Sequence, residues 1–207
     1  MKKMSLCIIT VLIVLTGCGN ERNSIETISL SDRESHLANA LAEITFAYEL
    51  EHKNLENPHL NIWVEEYNYG EKQEEDLLSH GLVRTEKSEN EHLYFLIQET
   101  GEESEKRTMS IIRIDGENTG SSSSMYDVIL DKEGIDAWTY NNEINDADFS
   151  NQQAVVIGII QYADVNTNIT GFIPEVINDG SRSAEEVFKD NPVTYLLKAQ
   201  FSSEYRD

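Results

Sequence analysis

Residues 153–163 have the sequence QAVVIGIIQYA, the most apolar run of the chain after its first twenty residues. A strand that is buried on both faces has a nearly continuous apolar sequence rather than an alternating one. We therefore expect residues 153–163 to form a central strand of a sheet.

Further strand-like segments lie on both sides of this run. Leu60, Ile62 and Val64 alternate with other residues, which is typical of a strand with one buried face. Three other segments have strand-like sequences: 92–98 (HLYFLIQ), 108–114 (TMSIIRI) and 193–201 (VTYLLKAQF).

Turn-forming residues separate several of these segments. Residues 115–124 (DGENTGSSSS) predict a long loop. Residues 131–134 (DKEG) lie between strand-like segments 125–130 and 135–140, which predicts a hairpin.

Two segments predict helices. Residues 31–55 begin with a capping-box sequence (SDRE) and carry an apolar stripe that we expect to face the core. The stripe consists of Leu37, Ala40, Leu41, Ile44, Ala47 and Tyr48. Residues 183–189 begin with a second such sequence (SAEE) and predict a short helix before the last strand.

One helix followed by six to eight short strands predicts a mainly β (α+β) fold. We expect the amphipathic N-terminal helix to pack on an antiparallel β-sandwich or curled sheet. The chain contains no internal repeat and no long linker, so residues 31–207 are predicted to form a single domain.

The N-terminus predicts export from the cytoplasm. Lys2 and Lys3 precede an uncharged apolar run of about ten residues, 6–15 (LCIITVLIVL). A membrane-spanning helix needs about 20 such residues. The run therefore has the length expected of the hydrophobic region of a secretory signal peptide.

Residues 15–18 (LTGC) resemble the lipobox of bacterial lipoproteins. The resemblance implies that Cys18 receives a diacylglyceryl group and that cleavage between Gly17 and Cys18 makes Cys18 the new N-terminus. Two acyl chains hold a protein stably on a bilayer, so it also implies a lipid anchor on the extracytoplasmic face of the cell membrane. The capped helix followed by strands is loosely similar to small uncharacterised cell-surface lipoproteins of Gram-positive bacteria. An ordinary signal peptide or an uncleaved anchor is the alternative.

Under this interpretation residues 1–17 are the signal peptide, and residues 18–30 are the lipidated N-terminus and a polar tether. The 207-residue chain has 16 Lys+Arg and 38 Asp+Glu, a formal charge of −22. Loss of Lys2 and Lys3 would make the mature chain more acidic still. Such acidity excludes nucleic acid as a partner, because phosphate binding needs basic surface. Cys7 would leave with the peptide, so the domain is expected to fold without disulfides.

One loop superficially resembles a calcium site. Asp164, Asn166, Asn168 and Glu175 occupy positions 1, 3, 5 and 12 of an EF-hand-like pattern. Position 6 is Ile169 rather than Gly, and a strand rather than a helix precedes the loop. We therefore expect a polar surface loop and assign no metal ligands and no cofactor.

Catalytic patterns are weak. The five histidines lack metal-binding spacing and are expected to be solvated or singly hydrogen-bonded; they are His36, His52, His59, His80 and His92. The serine run 121–124 lacks the G-x-S-x-G pattern of a nucleophile elbow. A catalytic pair of carboxylates remains an alternative, because acidic residues occur throughout the chain and their spacing does not single out a pair. We assign no catalytic residues.

Alternating aromatic residues allow two interpretations. Trp63, Tyr67 and Tyr69, and likewise Trp138 and Tyr140, are typical of core and cross-strand pairs. They could instead line a groove for a ligand or peptide.

These observations favour a membrane-anchored, non-enzymatic lipoprotein that binds a protein or cell-envelope partner. A carboxylate-dependent cell-envelope hydrolase and a calcium-stabilised surface module are the alternatives.

Overall fold

The computed structural model describes residues 22–84, 86, 88–99, 106–115, 118–127, 137–144, 149, 152–164 and 174–206. Within these residues the chain forms eleven strands and three short helices, and the paired strands are all antiparallel. The elements in chain order are β1 (Ser24–Thr27), α1 (Asp32–Leu41), β2 (Ile44–His52), β3 (His59–Asn68), β4 (Glu71–Lys72), β5 (Leu78–Val83), β6 (Ser88–Glu99), β7 (Lys106–Asp115), β8 (Asn118–Asp127), β9 (Ala137–Asn141), β10 (Val155–Ala163), α2 (Glu175–Asn178), α3 (Ala184–Phe188) and β11 (Val193–Ser202). The predicted mainly β class is confirmed.

The first sheet has the strand order β1-β2-β6-β7-β8. β2 and β6 are paired so that Phe46 lies opposite Phe95. Both rings are buried, and their centroids are 5.8 Å apart. Alternate residues of the sheet therefore line one buried face, as the period of two along a strand requires.

The second sheet has the order β4-β3-β11-β10-β9, and β5 also pairs with β3. β10 lies between β11 and β9, and each of its nine residues is buried. The prediction of a central strand in residues 153–163 is confirmed.

Residues from both sheets meet in one hydrophobic core. The Tyr48 hydroxyl of β2 donates a hydrogen bond to the Ile157 carbonyl of β10, at 2.7 Å. A second, smaller core contains Val156, Ile159 and Leu196 of the second sheet together with Val187 and Phe188 of α3. The two cores lie on opposite faces of β10, which explains why its sequence is apolar throughout rather than alternating.

The predicted helix over residues 31–55 is wrong in its second half. Residues 44–52 form β2, in which buried and partly buried positions alternate from Tyr48 to His52. The segment ITFAYELEH is rich in β-branched and aromatic residues, which fit a half-buried sheet surface better than a helix. The apolar stripe is also not a core face in α1, since Leu37 and Leu41 are 56% and 67% exposed.

Three other predictions need correction. The long loop predicted at residues 115–124 is wrong, because β8 begins at Asn118 and pairs with β7 through Asp127. Residues 125–127 and 137–140, the described parts of the predicted hairpin strands, do not pair with each other, because β8 and β9 belong to different sheets; residues 128–136 lie outside the described part. The described residues contain eleven strands rather than the six to eight predicted.

The tether predicted at residues 18–30 is shorter than expected. Ser24 to Thr27 form β1, which pairs with β2 from Ser24 opposite Glu51 to Thr27 opposite Tyr48. The Asn23 side chain is buried and accepts hydrogen bonds from the backbone N–H groups of Lys53 and Asn54, at 2.9 and 2.7 Å. The folded part therefore includes residues 23–30.

Candidate functional site

A cleft of about 390 Å³ lies beneath α1, where β1, β2 and the end of β9 come together. Four separate segments of the chain line it. The lining residues are Thr27, Ile28, Ser29, Leu30, Ser35, Ala38, Asn39, Thr45, Ala47, Tyr140, Asn142 and Glu143.

The chain between β1 and α1 forms one wall of the cleft. The Ile28 N–H donates a hydrogen bond to the Ala47 carbonyl at 3.0 Å, which continues the pairing of β1 with β2. At Ser31 the chain enters α1 through a capping box, in which Glu34 Oε2 accepts from the Ser31 N–H at 2.8 Å. These bonds fix the angle at which α1 leaves the sheet.

Helix α1 covers the cleft, and few contacts attach it to the sheet. It has no buried residue. One side-chain hydrogen bond links it to the sheet, from Gln98 Nε2 to the Leu41 carbonyl at 2.7 Å. The position of α1 over the cleft therefore depends on its N-terminal cap and on a few contacts rather than on a packed apolar face.

The opposite wall comes from β9 and the residues after it. Thr27 Oγ1 donates a hydrogen bond to the Asn142 carbonyl at 2.5 Å, which ties the edge of the first sheet to the edge of the second. Asn141 Oδ1 accepts from the Glu143 N–H at 2.7 Å and shapes the turn that follows β9. These two bonds place Tyr140, Asn142 and Glu143 at the cleft.

Two exposed aromatic side chains extend the cleft along β9. Trp138 and Tyr140 are stacked, with ring centroids 5.6 Å apart and ring planes 21° apart. They lie opposite the buried Tyr162 and Ile160 of β10, so they are on the core-facing side of the sheet. They are nevertheless 40% and 48% exposed, because β9 is the last strand of the sheet order.

The cleft lining is polar and carries little charge. It contains the side-chain hydroxyls or amides of Thr27, Ser29, Ser35, Asn39, Thr45 and Asn142, and Glu143 is the one ionisable acid or base among the residues that line it. Thr45 Oγ1 is buried and has no hydrogen-bond partner among the described residues. A buried hydroxyl without a partner is costly, so rotation of the Thr45 side chain towards a ligand in the cleft would be favoured by the hydrogen bond gained.

The buried Glu65 lies outside the cleft, on β3, and both oxygens of its carboxylate have hydrogen-bond and ion-pair partners. Its carboxylate accepts hydrogen bonds from Trp63 Nε1 and the Tyr67 hydroxyl, both at 3.0 Å. Lys72 Nζ and Lys198 Nζ lie 2.7 and 2.8 Å from its two oxygens. Burial alone would raise the pKa of Glu65, but the bonds from Lys198, Lys72 and Trp63 outweigh burial and lower the pKa to about 2. The group is therefore a structural anion and not a proton donor near neutral pH.

A second buried acid, Glu91, lies in a network of two arginines. Arg84 and Arg113 each donate to the Glu91 carboxylate. Asp115 Oδ2 accepts from Arg84 Nη1 at 2.8 Å and from Arg113 Nη2 at 3.2 Å. This arrangement joins β5, β6 and β7 and is typical of a structural ion-pair network.

The structure separates the two aromatic sets predicted from the sequence. Trp63 and Tyr67 are 3% exposed, as the core interpretation predicts. Tyr69 is 59% exposed in the β3–β4 turn, at the edge of the sheet opposite β9. Trp138 and Tyr140 alone border the cleft, so they are the set that the groove interpretation fits.

The remaining predicted positions do not form a site in the described residues. Gly17 and Cys18 lie outside them, as do residues 165–173 of the calcium-like loop. Asp164 follows β10 and Glu175 begins α2. No group of three or more His, Cys, Asp or Glu side chains in the described part is placed to hold a metal ion. His52 is buried and bonds to the Asn57 carbonyl at 2.9 Å, as expected for a singly hydrogen-bonded histidine.

The sequence pattern did not indicate the polar residues of the cleft. Thr27, Ser35, Thr45 and Asn142 are ordinary small polar residues, far apart in the chain and without a motif. Only the pairing of β1 with β2, and the bond between Thr27 and Asn142, bring them together. The alternation of Trp138 and Tyr140 was the one available signal.

Among the described residues, no helix has both the length and the apolar character needed to cross a membrane.

Comparison with known proteins places the chain in a family. Searches of the curated proteins and of the solved structures found no match. The profile of the YgaN domain family matches residues 24–201, which begin at the first residue of β1 and end within β11. The chain therefore belongs to the YgaN domain family.

Proposed function

We propose that the chain is a lipid-anchored, extracytoplasmic binding protein without enzymatic activity. In this proposal Cys18 carries the anchor, and the ectodomain is a β-sandwich with α1 on one edge. The cleft beneath α1, together with Trp138 and Tyr140, binds a protein or cell-envelope ligand.

The exposed aromatic pair is the observation that carries the binding function. Trp138 and Tyr140 are stacked on each other, and the Tyr140 ring also lies 5.7 Å from the buried ring of Phe46. The pair is thus held in place from the core while almost half of each side chain is open to solvent. Aromatic side chains that are exposed and held in a fixed position are common anchors of binding sites.

The position of β1 supports attachment close to the membrane. Five residues separate Cys18 from Ser24, the first residue of β1. Fully extended, they span about 17 Å. A lipid on Cys18 would therefore hold the domain near the bilayer, with the turn at Asn54 on the anchored side, because Asn23 binds there.

The state of the buried acids favours binding over hydrolysis. A carboxylate pair that acts as acid and base needs two acids with pKa values shifted apart. Glu65 has a lowered pKa and is held by two lysines, while Glu91 is held by two arginines. Glu143 at the cleft has no second acid among the lining residues.

Two measurements on the full chain test this proposal. Cys18→Ala is expected to move the protein out of the membrane fraction; retention in that fraction with unchanged mobility would contradict the anchor. For binding, the protein is extracted in mild detergent and incubated with an isolated cell-envelope fraction.

Trp138→Ala and Tyr140→Ala are each expected to reduce retention on the envelope fraction at least about tenfold. Tyr69→Ser removes an even more exposed aromatic side chain at the opposite edge of the sheet and is expected to leave retention unchanged. Equal retention of all three variants and the wild type would refute the assignment of the binding site.

A further inference from the structure

We propose that the cleft binds a neutral oligosaccharide, with one sugar unit beneath α1 and the next unit against the stacked Trp138 and Tyr140. The inference rests on the proposed binding function and names the chemical class of the ligand.

Charge is the first argument. The chain has a net charge of −22, yet among the described residues that line the cleft Glu143 is the one acid, and there is no Lys or Arg. A site for a cation collects several carboxylates, and a site for an anion collects basic side chains or a helix N-terminus. A lining of hydroxyls and amides with one carboxylate is suited to an uncharged ligand that is rich in hydroxyl groups.

Hydrogen bonding is the second argument. Hydroxyl and amide side chains both donate and accept, as the hydroxyls of a sugar do. Thr45 Oγ1 is buried in the lining and has no partner among the described residues. That oxygen is closed to solvent, so a sugar hydroxyl in the cleft would become its partner once the Thr45 side chain rotates towards the cleft.

The aromatic pair supplies the third argument. A pyranose ring has an apolar face of C–H groups, which packs favourably on an aromatic side chain, while its hydroxyls point outward to polar groups. Tyr140 lines the cleft and Trp138 is stacked on it. The apolar surface at the mouth therefore continues directly from the polar interior, which matches the amphipathic character of a sugar chain.

Size and geometry favour a short stretch of glycan over a peptide. Ligand sites usually have volumes of about 300 to 1,000 Å³, so a cleft of about 390 Å³ is at the small end and suits one sugar unit. An extended peptide would bind by adding a strand to the edge of a sheet. A peptide that paired with the open edge of β9 could not extend its pairing to Asn142, because the Asn142 carbonyl already accepts a hydrogen bond from Thr27 Oγ1.

Tryptophan fluorescence of the full chain in mild detergent tests the inference. The probes are the neutral trisaccharides of glucose, mannose and N-acetylglucosamine, and triglycine serves as the peptide probe. Trp63 is 3% exposed and Trp138 is 40% exposed, so a ligand at the cleft should change the emission of Trp138. We expect a saturable change with at least one trisaccharide and no such change in Trp138→Phe.

Two further variants separate the cleft from other surfaces. Thr45→Val keeps the shape of the side chain and removes its hydroxyl, and it is expected to weaken trisaccharide binding by about twofold to tenfold. Tyr69→Ser is expected to bind as the wild type does. The melting temperature of each variant shows whether it is folded.

The outcomes separate this inference from the proposed function. If none of the three trisaccharides binds, while retention on the envelope fraction still depends on Trp138, the glycan assignment is wrong and the binding function stands. Binding of triglycine at the same site, with no trisaccharide response, would likewise overturn the glycan in favour of a peptide. If retention on envelopes does not depend on Trp138 or Tyr140, the proposed site itself is wrong.

Discussion

Glu65 illustrates, at the scale of single residues, how this acidic chain stabilises a buried charge. Its side chain is 5% exposed, and four donors from β3, β4 and β11 surround the carboxylate. Lys72 and Lys198 are less buried, at 39% and 19% exposed. The charged hydrogen bonds outweigh the cost of burial, so the carboxylate stays ionised and joins the three strands.

We predict that Glu65→Gln lowers the free energy of unfolding by about 2 to 3 kcal/mol at neutral pH, because it leaves two lysines beside a neutral amide. The pKa of Glu65 is lowered from 4.5 to about 2. A carboxylate with a lowered pKa stabilises the fold above its unfolded pKa, and that stabilisation is lost as the pH falls from about 4.5 towards 2. The variant should therefore lose less stability than the wild type over this range.

Chemical denaturation of both proteins from pH 7 to pH 2 measures this difference. Glu74→Gln is the matched control, since Glu74 is exposed in the loop after β4, and it should change stability by less than about 0.5 kcal/mol. Parallel pH curves for Glu65→Gln and the wild type would contradict the account.

Gly158 is a second position at which the packing depends on a single atom, because an added Cβ would collide with neighbouring side chains. A Cβ at Gly158 would lie 2.6 Å from Phe46 Cε2 and 3.1 Å from the Tyr48 hydroxyl. Phe46 cannot easily move, because it is fully buried and contacts Phe95 and Tyr140. Glycine at this point of β10 allows the rings of β2 to approach the second sheet.

We predict that Gly158→Ala destabilises the protein by about 1 to 3 kcal/mol through overpacking. In Gly120→Ala, the added methyl group meets nothing within 4 Å, so this variant should be neutral or slightly stabilising. Thermal unfolding of both variants checks the prediction. An equal effect of the two substitutions would show that backbone freedom, and not the contact with Phe46, decides the outcome.

At the scale of elements, the sequence predicts a strand well where burial is complete and poorly where burial depends on a distant partner. β10 was predictable because two covered faces make its sequence apolar throughout. β2 was not, since Ile44, Ala47 and Tyr48 fit a helical stripe while Ile44, Phe46 and Tyr48 fit a strand. Pairing of β2 with both β1 and β6 decides between the two. Residues 92–98 of β6 have a strand-like sequence, but nothing in residues 44–52 indicates that they pair with it or with β1.

β8 and the cleft show the same limit. Residues 118–124 have the composition of a loop, yet residue-by-residue pairing with β7 makes them the edge strand of a sheet. The cleft depends on residues from four segments of the chain, and Thr27 and Asn142, which are hydrogen-bonded beside it, lie 115 residues apart in sequence. Its aromatic part carried a signal in the sequence, but its small polar residues carried none.

The two capped helices should respond differently to loss of their caps. Ser31 Oγ accepts from the Glu34 N–H at 3.4 Å in α1, which buries no residue. Ser183 Oγ accepts from the Glu186 N–H at 3.3 Å in α3, which buries Ala184, Val187 and Phe188. An N-cap contributes about 1 kcal/mol to the stability of its helix. Only in α3 does loss of the cap also affect a hydrophobic core, because residues of α3 belong to that core.

We predict that Ser31→Ala reduces amide protection within α1 and leaves the global melting temperature nearly unchanged. Ser183→Ala should lower the melting temperature by about 2 to 4 °C, which corresponds to about 1 kcal/mol. Hydrogen exchange with mass spectrometry and calorimetry measure the two effects. A clear fall in melting temperature for Ser31→Ala would mean that α1 is packed more firmly than its exposed leucines indicate.

At the scale of the whole molecule, the acidic charge is distributed unevenly. The most buried acids, Glu65 and Glu91, are neutralised locally by pairs of basic side chains, and the cleft is nearly free of ionisable groups. Among the acids whose side chains the structure describes, only Glu65 and Glu91 are buried, so the others add to the negative charge of the surface. The proposed ligand site contributes little of that charge, because Glu143 is the one acid among its described lining residues, and this fits an uncharged ligand.

This distribution predicts how stability depends on salt. Exposed like charges repel each other in the folded state, and salt screens them, while buried pairs are screened much less. Raising NaCl from about 10 mM to about 500 mM shortens the screening length from about 30 Å to less than 8 Å. We expect the melting temperature to rise by roughly 2 to 6 °C, equivalent to relief of about 1 to 2 kcal/mol of repulsion. Glu65→Gln should show the same rise, because its interactions are local. A melting temperature that falls with salt would mean that exposed ion pairs, such as Lys53 with Glu51 at 2.5 Å, outweigh the repulsion among the surface acids.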